Sequence, residues 1–330
     1  MKIEIEKIDE LLEEIDFSGV VYVRQQESVL YQQARHFRDR RNQLKNTLDT
    51  RFGIASGTKL ITALGIMKLV ELGRIKLDDP AFSYIPQSFK TYDQTVTIKQ
   101  LLSHTSGLPD YFDEDEVSEF SSFQVSVPWY LLKKPSDYLA VMPQKEMKFK
   151  PGTAFNYNNS GFIFLAMIIE FVTGDYYRWI EDAVFKPAKM TESGFFLFNQ
   201  LPSNTANGYV DLKDGNYRTN VFDLPIRGGG DGGMFTTAKD IDSLWTQLFK
   251  GDIVSKETVE KMIEPVHTSA GLSYGLGVWL KQKDGGYYPL IIGEDSGVSF
   301  QSEYRYDVDV VYVVLSNTQE GAWPIVKQFK

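Results

Sequence analysis

Residues 51–80 read RFGIASGTKLITALGIMKLVELGRIKLDDP, and the rest of the chain is best understood outward from them. The run after Lys59 is apolar for more than three turns and stops at Gly73, which predicts a buried helix over 56–74. Leu77-Asp-Asp-Pro80 then breaks the pattern. At the mouth of this helix stand Ser56 and Lys59, three residues apart and therefore on one face. A structural reading has Ser56 capping the helix and Lys59 snorkelling to water. A chemical reading uses the free N–H groups and positive dipole end at the helix start to favour negative charge developing at Ser56. A serine hydroxyl needs a base, and a lysine in a desolvated pocket loses proton affinity and can serve as one.

The composition permits either reading. A chain of 330 residues with 42% hydrophobic and 24% charged residues has ample core for one enzyme-sized body. A net charge of −9 argues against nucleic acid or an anionic membrane as partner. There is no cysteine, which excludes a thiol nucleophile, disulfides and cysteine-ligated metals. Three dispersed histidines, His36, His104 and His267, lack zinc-ligand spacing, so no metal or organic cofactor is expected. No window has a signal-peptide core or reaches the length of a membrane span, so the expectation is a soluble, cytoplasmic chain.

Periodicity places an amphipathic helix over 4–16 and strands at 19–24 and 28–32. Further helices are expected at 97–103, 136–141, 160–173 and 238–249, and a short one at 319–328. Strands return at Tyr274–Leu280, Tyr287–Ile292, Val298–Tyr306 and Val310–Leu315, with turns at Asp284-Gly-Gly and Asp307-Val-Asp. The acidic stretch Asp110–Glu119 reads as a solvated loop or a helix start, its ligand spacing fitting no standard calcium loop. Strands at both ends around a helical middle predict an α+β sandwich with one antiparallel sheet built from both termini and flanked by helices. The expected organisation is a single domain, 1–330. Its α/β lobe would comprise 1–86 and 246–330, and its inserted helical lobe 87–245.

Several segments, in order, carry a resemblance. Asp49–Lys59 with Leu69–Pro80 resembles the nucleophile segment of the serine β-lactamase/penicillin-binding-protein superfamily, in its class C-like branch of D,D-carboxypeptidases, D-aminopeptidases and esterases. Leu101-Leu-Ser-His-Thr-Ser-Gly-Leu-Pro109 resembles that branch's second recurring segment. Pro151-Gly-Thr-Ala-Phe-Asn-Tyr-Asn-Asn-Ser-Gly161 resembles the Tyr-x-Asn segment, and Gly230–Ile241 a further Gly-Gly block. The resemblance spans about 18 to 317 and implies a β-lactamase/transpeptidase-like fold. It also implies that Ser56 is the acylated nucleophile, Lys59 its activating partner, and Tyr157 a general base or proton shuttle whose phenolate Lys59 would stabilise. Asn159 would hold the substrate and steady Lys59.

The third motif of the family, Lys-Thr-Gly or His-x-Gly, falls on Ile291-Ile292-Gly293 when the register is anchored on the hairpin Tyr304–Asn317. Gly293 would let substrate approach the strand edge, and the Glu294 N–H would pair with that of Ser56 as an oxyanion hole. Ile291 replaces the family's polar group, and Glu294 and Asp295 make the rim acidic. This disfavours carboxylate-bearing substrates and favours a neutral ester or an amine-bearing one. Arg227, before a glycine run, is a candidate source of positive charge; the run itself reads as a turn near the site.

The function implied is a serine hydrolase acting through a Ser56 acyl-enzyme on a small ester or peptide-like amide, with β-lactams as expected acylating agents. The alternative is a non-catalytic binding protein on the same fold, which the loss of the polar group at Ile291 would favour.

Overall fold

The computed structural model describes residues 5–86, 89–117, 119–268, 271–283 and 285–329. Its organising element is an eight-stranded antiparallel sheet. The strands are β1 (Gly19–Gln25), β2 (Ser28–Arg35), β3 (His267–Thr268), β4 (Leu272–Tyr274), β5 (Trp279–Lys283), β6 (Gly286–Asp295), β7 (Val298–Arg305) and β8 (Val310–Ser316). They lie in the order β2-β1-β8-β7-β6-β5-β4-β3, so the first and last strands of the chain pair directly, from Gly19 opposite Ser316 to Gln25 opposite Val310. This is the expected α+β sandwich with its sheet drawn from both ends of the chain.

Alternation along β1 assigns the two faces. Val20 and Tyr22 enter the large core, while Val21 and Val23 enter a smaller one. The smaller core is closed by α1 (Ile5–Glu14) and α6 (Ala322–Val326), through Ile8, Leu12, Ala322 and Ile325. The larger face is covered by α2 (Thr58–Glu71) and α5 (Ala238–Lys250). Because both faces of β8 are covered, all seven of its residues are buried and it reads as an unbroken apolar run. Behind α2 stand α3 (Ile98–Leu102) and α4 (Asn159–Thr173). From Asn159 to Ile169 every α4 residue is buried, as its composition requires. Among the described residues no single helix is long and apolar enough to cross a membrane.

The structure refines several sequence expectations. The expected helix at 56–74 is a single 3-10 turn, Ala55–Gly57, followed by α2, and it closes on Gly73 in the left-handed region (φ 67°). The segment 136–141 is a 3-10 helix, Pro135–Ala140. The run Tyr274–Leu280 is two strands and not one. Between them Gly277 (φ 78°) passes so close to α2 that an added Cβ would lie 2.2 Å from the Ala63 Cβ. The turn residue Asp284 lies outside the described residues.

Helix α5 spans residue 245 and is fastened to the sheet along its length. Asp242 accepts from the Tyr22 hydroxyl (2.8 Å) and from Arg24 Nε (2.7 Å). Trp245, fully buried, donates its indole N–H to Ser302 Oγ (2.9 Å). Trp245→Ala is expected to cost about 3–5 kcal/mol, read as a lower urea midpoint with an unchanged slope.

Candidate active site

The turn that carries Ser56 is held by close contacts on three sides. Ile54 N–H donates to the Met234 carbonyl (3.1 Å), joining the turn to the Gly-rich segment 228–233. Gly57 lies under Phe300, whose ring would stand 2.6 Å from an added Cβ. Gly293 on β6 abuts the turn so closely that a Cβ there would fall 2.0 Å from the Ile54 carbonyl oxygen. Strand β5 stops pairing at Leu290, so Ile291–Asp295 pair only with β7 and turn an open edge to Ser56. Ala55 takes a left-handed conformation (φ 45°), unusual for alanine and located just before the serine. The Ser56 side chain does not cap α2: the N-cap is Gly57, with no side-chain cap bond.

Lys59 is 2% exposed, and its ammonium makes three hydrogen bonds. It donates to Ser56 Oγ (2.8 Å), to Asn159 Oδ1 (2.7 Å) and to the backbone carbonyl of Asp231 (2.8 Å). Burial pulls its proton affinity below the usual lysine value, against the opposing pull of Asp231, Glu114, Asp110 and Asp295. Asn159 is free to take this role because Asn158 is the N-cap of α4, its Oδ1 accepting from Gly161 N–H (2.7 Å). The Asn159 amide also donates to the Phe112 carbonyl (2.8 Å) and to Glu114 (3.1 Å).

The Tyr157 side chain lines the same cleft as Ser56, and its ring faces the Lys59 ammonium (4.8 Å to the centroid). The ring is held between Trp279 (5.8 Å, stacked) and His104 (4.4 Å). His104 is itself buried, and its Nδ1 accepts from Asn158 N–H (3.1 Å). The phenol is pushed well above its ordinary value, chiefly by burial and then by Glu114. Desolvation thus opposes the Lys59-stabilised phenolate that the resemblance implies.

Two pockets open on Ser56. The first is walled by aromatic rings, among them Phe112, Phe123, Trp129 and Tyr138, with Asp231 and Asp295 also lining it. The second is lined by Glu114, Asp115, Tyr157, Trp279, Ile292 and Glu294. Among the described residues lining either pocket there is no lysine, arginine or histidine. Two of the carboxylates at the rim are paired, Asp113 with Lys148 (2.5 Å) and Asp223 with Arg218 (2.7 Å). Burial pushes Asp295 up to about 8 and raises Asp231 and Glu294 as well.

The Beta-lactamase family model matches residues 5–327. The chain belongs to the beta-lactamase family. Penicillin-binding protein 4* of Bacillus subtilis (strain 168) is 28% identical over 290 residues, covering 82% of this chain and 61% of that protein. A solved penicillin-binding protein from Bacillus halodurans is 38% identical, covers 98% of both chains and superposes with a TM-score of 0.92. D-amino acid amidase from Ochrobactrum anthropi SV3 shares the fold, with a TM-score of 0.80 at 21% identity over 98% of this chain and 96% of its own. Membership in the beta-lactamase family supports a serine hydrolase at the general level.

Within this beta-lactamase-family site, Ser56, Lys59, Tyr157 and Asn159 come together, and Gly293 and Glu294 line the same cleft. Two expectations on β6 change. Ile291 is 3% exposed and lies in the main hydrophobic core, so the cleft meets Ile292, Gly293 and Glu294 on this strand. The absent side chain of Gly293 faces the Ile54 carbonyl, so this glycine seats the nucleophile turn and does not merely clear a path for substrate. Arg227 is not in the cleft: its guanidinium lies 3.4 Å from the Tyr177 ring centroid and its Nε donates to the Phe195 carbonyl. Asp110 is not solvated either, but buried at the start of α4. Sequence reasoning missed Asp231 because the group that binds Lys59 is a backbone carbonyl, which no side-chain motif encodes.

Gly293→Ala is expected to displace the nucleophile turn and lower acylation of Ser56 by about 100-fold, while far-UV circular dichroism is preserved. Asp295 yields a stability prediction. A carboxyl raised from about 3.9 to about 8 favours the fold most below its ordinary value, and that contribution falls away as pH rises through 8. Asp295→Asn should therefore flatten the decline in stability between about pH 4 and 8, read by urea unfolding across that range.

Proposed function

We propose that the chain is a serine hydrolase that forms an acyl-enzyme on Ser56 from a small ester or peptide-like amide. The observation that carries this reading is the arrangement at Lys59 Nζ. With two N–H bonds directed to Asn159 and Asp231, the neutral amine has its lone pair left for the Ser56 hydroxyl, 2.8 Å away. Burial lowers the proton affinity of Lys59 and so favours the neutral amine.

In this mechanism Ser56 Oγ attacks the substrate carbonyl as its proton passes to Lys59 Nζ. The developing oxyanion is received by the backbone N–H groups of Ser56 and Glu294. The proton taken up by Lys59 then passes to the leaving group by way of the hydroxyl of Tyr157, whose ring faces the ammonium, and both side chains return to their starting states. Water then repeats the sequence on the acyl-enzyme. No step calls for a metal or an organic cofactor.

The cleft supports a substrate class. With carboxylates in both pockets and no cation lining them, a substrate carboxylate would be repelled, whereas a neutral or amine-bearing acyl group meets Asp231, Asp295 and the aromatic wall. Amides of amino acids and small esters fit this description, and D-amino acid amidase, which shares the fold, is named for such a substrate. Efficient β-lactamase or carboxypeptidase activity is not expected, and penicillins are expected to acylate Ser56 slowly.

Incubation with p-nitrophenyl acetate or a fluorescent penicillin, followed by intact-mass measurement, tests the reading. An adduct of one acyl group is expected on the wild type and none on Ser56→Ala. Absence of adduct and turnover across esters and D-amino-acid amides would sink it. Lys59→Ala is expected to lower acylation by about 100-fold or more. The wild-type rate should rise with pH to a plateau whose midpoint lies below the ordinary lysine value near 10.4.

A further inference from the structure

Asp110 is a buried carboxylate that the acyl-transfer steps leave without a task. It accepts from the backbone N–H of Asn159 (2.6 Å) and Ser160 (2.8 Å), from the Ser160 hydroxyl (3.0 Å), and from the N–H of Phe112 (3.3 Å). Asn158 takes the Gly161 N–H, and Asp110 takes the two first-turn donors before it, Asn159 and Ser160. What it adds is a junction between the start of α4 and the segment Tyr111–Phe112.

Following those bonds outward closes a ring. Ser160 Oγ accepts from Tyr111 N–H (2.9 Å), and the Tyr111 hydroxyl donates to the Asp231 carboxylate (2.6 Å). The Asp231 carbonyl and Asn159 Oδ1 are the two acceptors that hold Lys59 besides Ser56. Both therefore trace back to Asp110, one through the Asn159 peptide and the other through Ser160, Tyr111 and Asp231. We propose that Asp110 is a positioning residue, which sets where Lys59 Nζ stands relative to Ser56 Oγ by clamping both of the other acceptors. The proposal rests on the Ser56 acyl-enzyme reading for its kinetic consequence, but its effect on Lys59 is measurable without turnover.

Charge adds a second consequence. Asp110 is one of four carboxylates, with Asp231, Glu114 and Asp295, that favour the charged form of Lys59; its charge also reaches Tyr92, Tyr111 and Tyr157. Burial pushes Asp110 itself up to about 7 against the pull of its N–H donors, so it is ionised above that point. Replacing it with a neutral side chain removes a negative charge near the ammonium and lowers the proton affinity of Lys59. That effect acts through space; Asp110→Glu keeps the charge and disturbs the geometry, so it separates the clamp from it.

The experiment is to titrate Lys59 by NMR of protein carrying ¹³C-labelled lysine, its signal assigned with Lys59→Arg, in wild type, Asp110→Asn and Asp110→Glu. Acylation by p-nitrophenyl acetate is followed across pH alongside. Asp110→Asn should move the Lys59 titration down by about half a pH unit or more and lower the maximal acylation rate about tenfold or more, with KM changed less than about threefold. Asp110→Glu should lower the rate while keeping the titration close to that of the wild type. An Asp110→Asn protein with an unmoved Lys59 titration, or with a rate within twofold of wild type, overturns the proposal. If Asp110→Asn does not fold, Tyr111→Phe breaks the ring on its far side. It should lower acylation about tenfold, and a rate within twofold of wild type overturns the proposal equally. Wild type that forms no Ser56 adduct would defeat the acyl-enzyme reading instead, and the Lys59 titration would still decide the role of Asp110.

Discussion

The site depends on one amine withheld from water. Removing an ammonium from solvent costs several kcal/mol, and Lys59 is 2% exposed. Three hydrogen bonds to oxygen, each worth about 1.5–3 kcal/mol when one partner is charged, offset that cost without abolishing the pull toward the neutral form. The three oxygens come from three separate parts of the chain: the nucleophile turn, the start of α4 and the Gly-rich segment. The N-termini of α2 and α4 must therefore lie side by side at this point, and the packing of their buried faces holds them there.

The carboxylates around that amine work as a graded environment. Asp231, Glu114, Asp110 and Asp295 all favour the ammonium, while burial opposes them, so Lys59 is poised and not simply neutralised. Asp231, Asp110 and Asp295 are themselves pushed upward by burial, and Asp295 also by the charges of Glu114 and Asp231. Tyr157 shows the other side of the balance: aromatic walls strip its hydroxyl of water, and burial favours the protonated phenol.

Much of this was legible in the sequence because it depends on periodicity and side-chain chemistry. The continuous apolar run of β8 and the apolar lengths of α2 and α4 announce elements buried on all sides. Ser56, Lys59, Tyr157 and Asn159 were readable through their shared motif context. What escaped depended on backbone geometry. The split of 274–280 follows from Gly277 passing against Ala63, a contact with no local signature. The burial of Asp110 escaped because acidic neighbours make its segment look solvated. The orientation of Ile291 follows from strand alternation combined with the seating of Gly293, which requires knowing which face of β6 the turn occupies. The Asp231 carbonyl could be recognised only once the chain had folded.

The close approach at Gly57 and Gly293 has a consequence for how such a protein can change. The reactive centre is located by main-chain contacts, whereas the walls of the adjoining cavities are made of replaceable rings and carboxylates. Selectivity can thus drift, in evolution or in the laboratory, by exchanging wall residues such as Phe123, Trp129 or Phe198 while the chemical apparatus stays registered. The glycines that seem least informative in the chain are what make that freedom available.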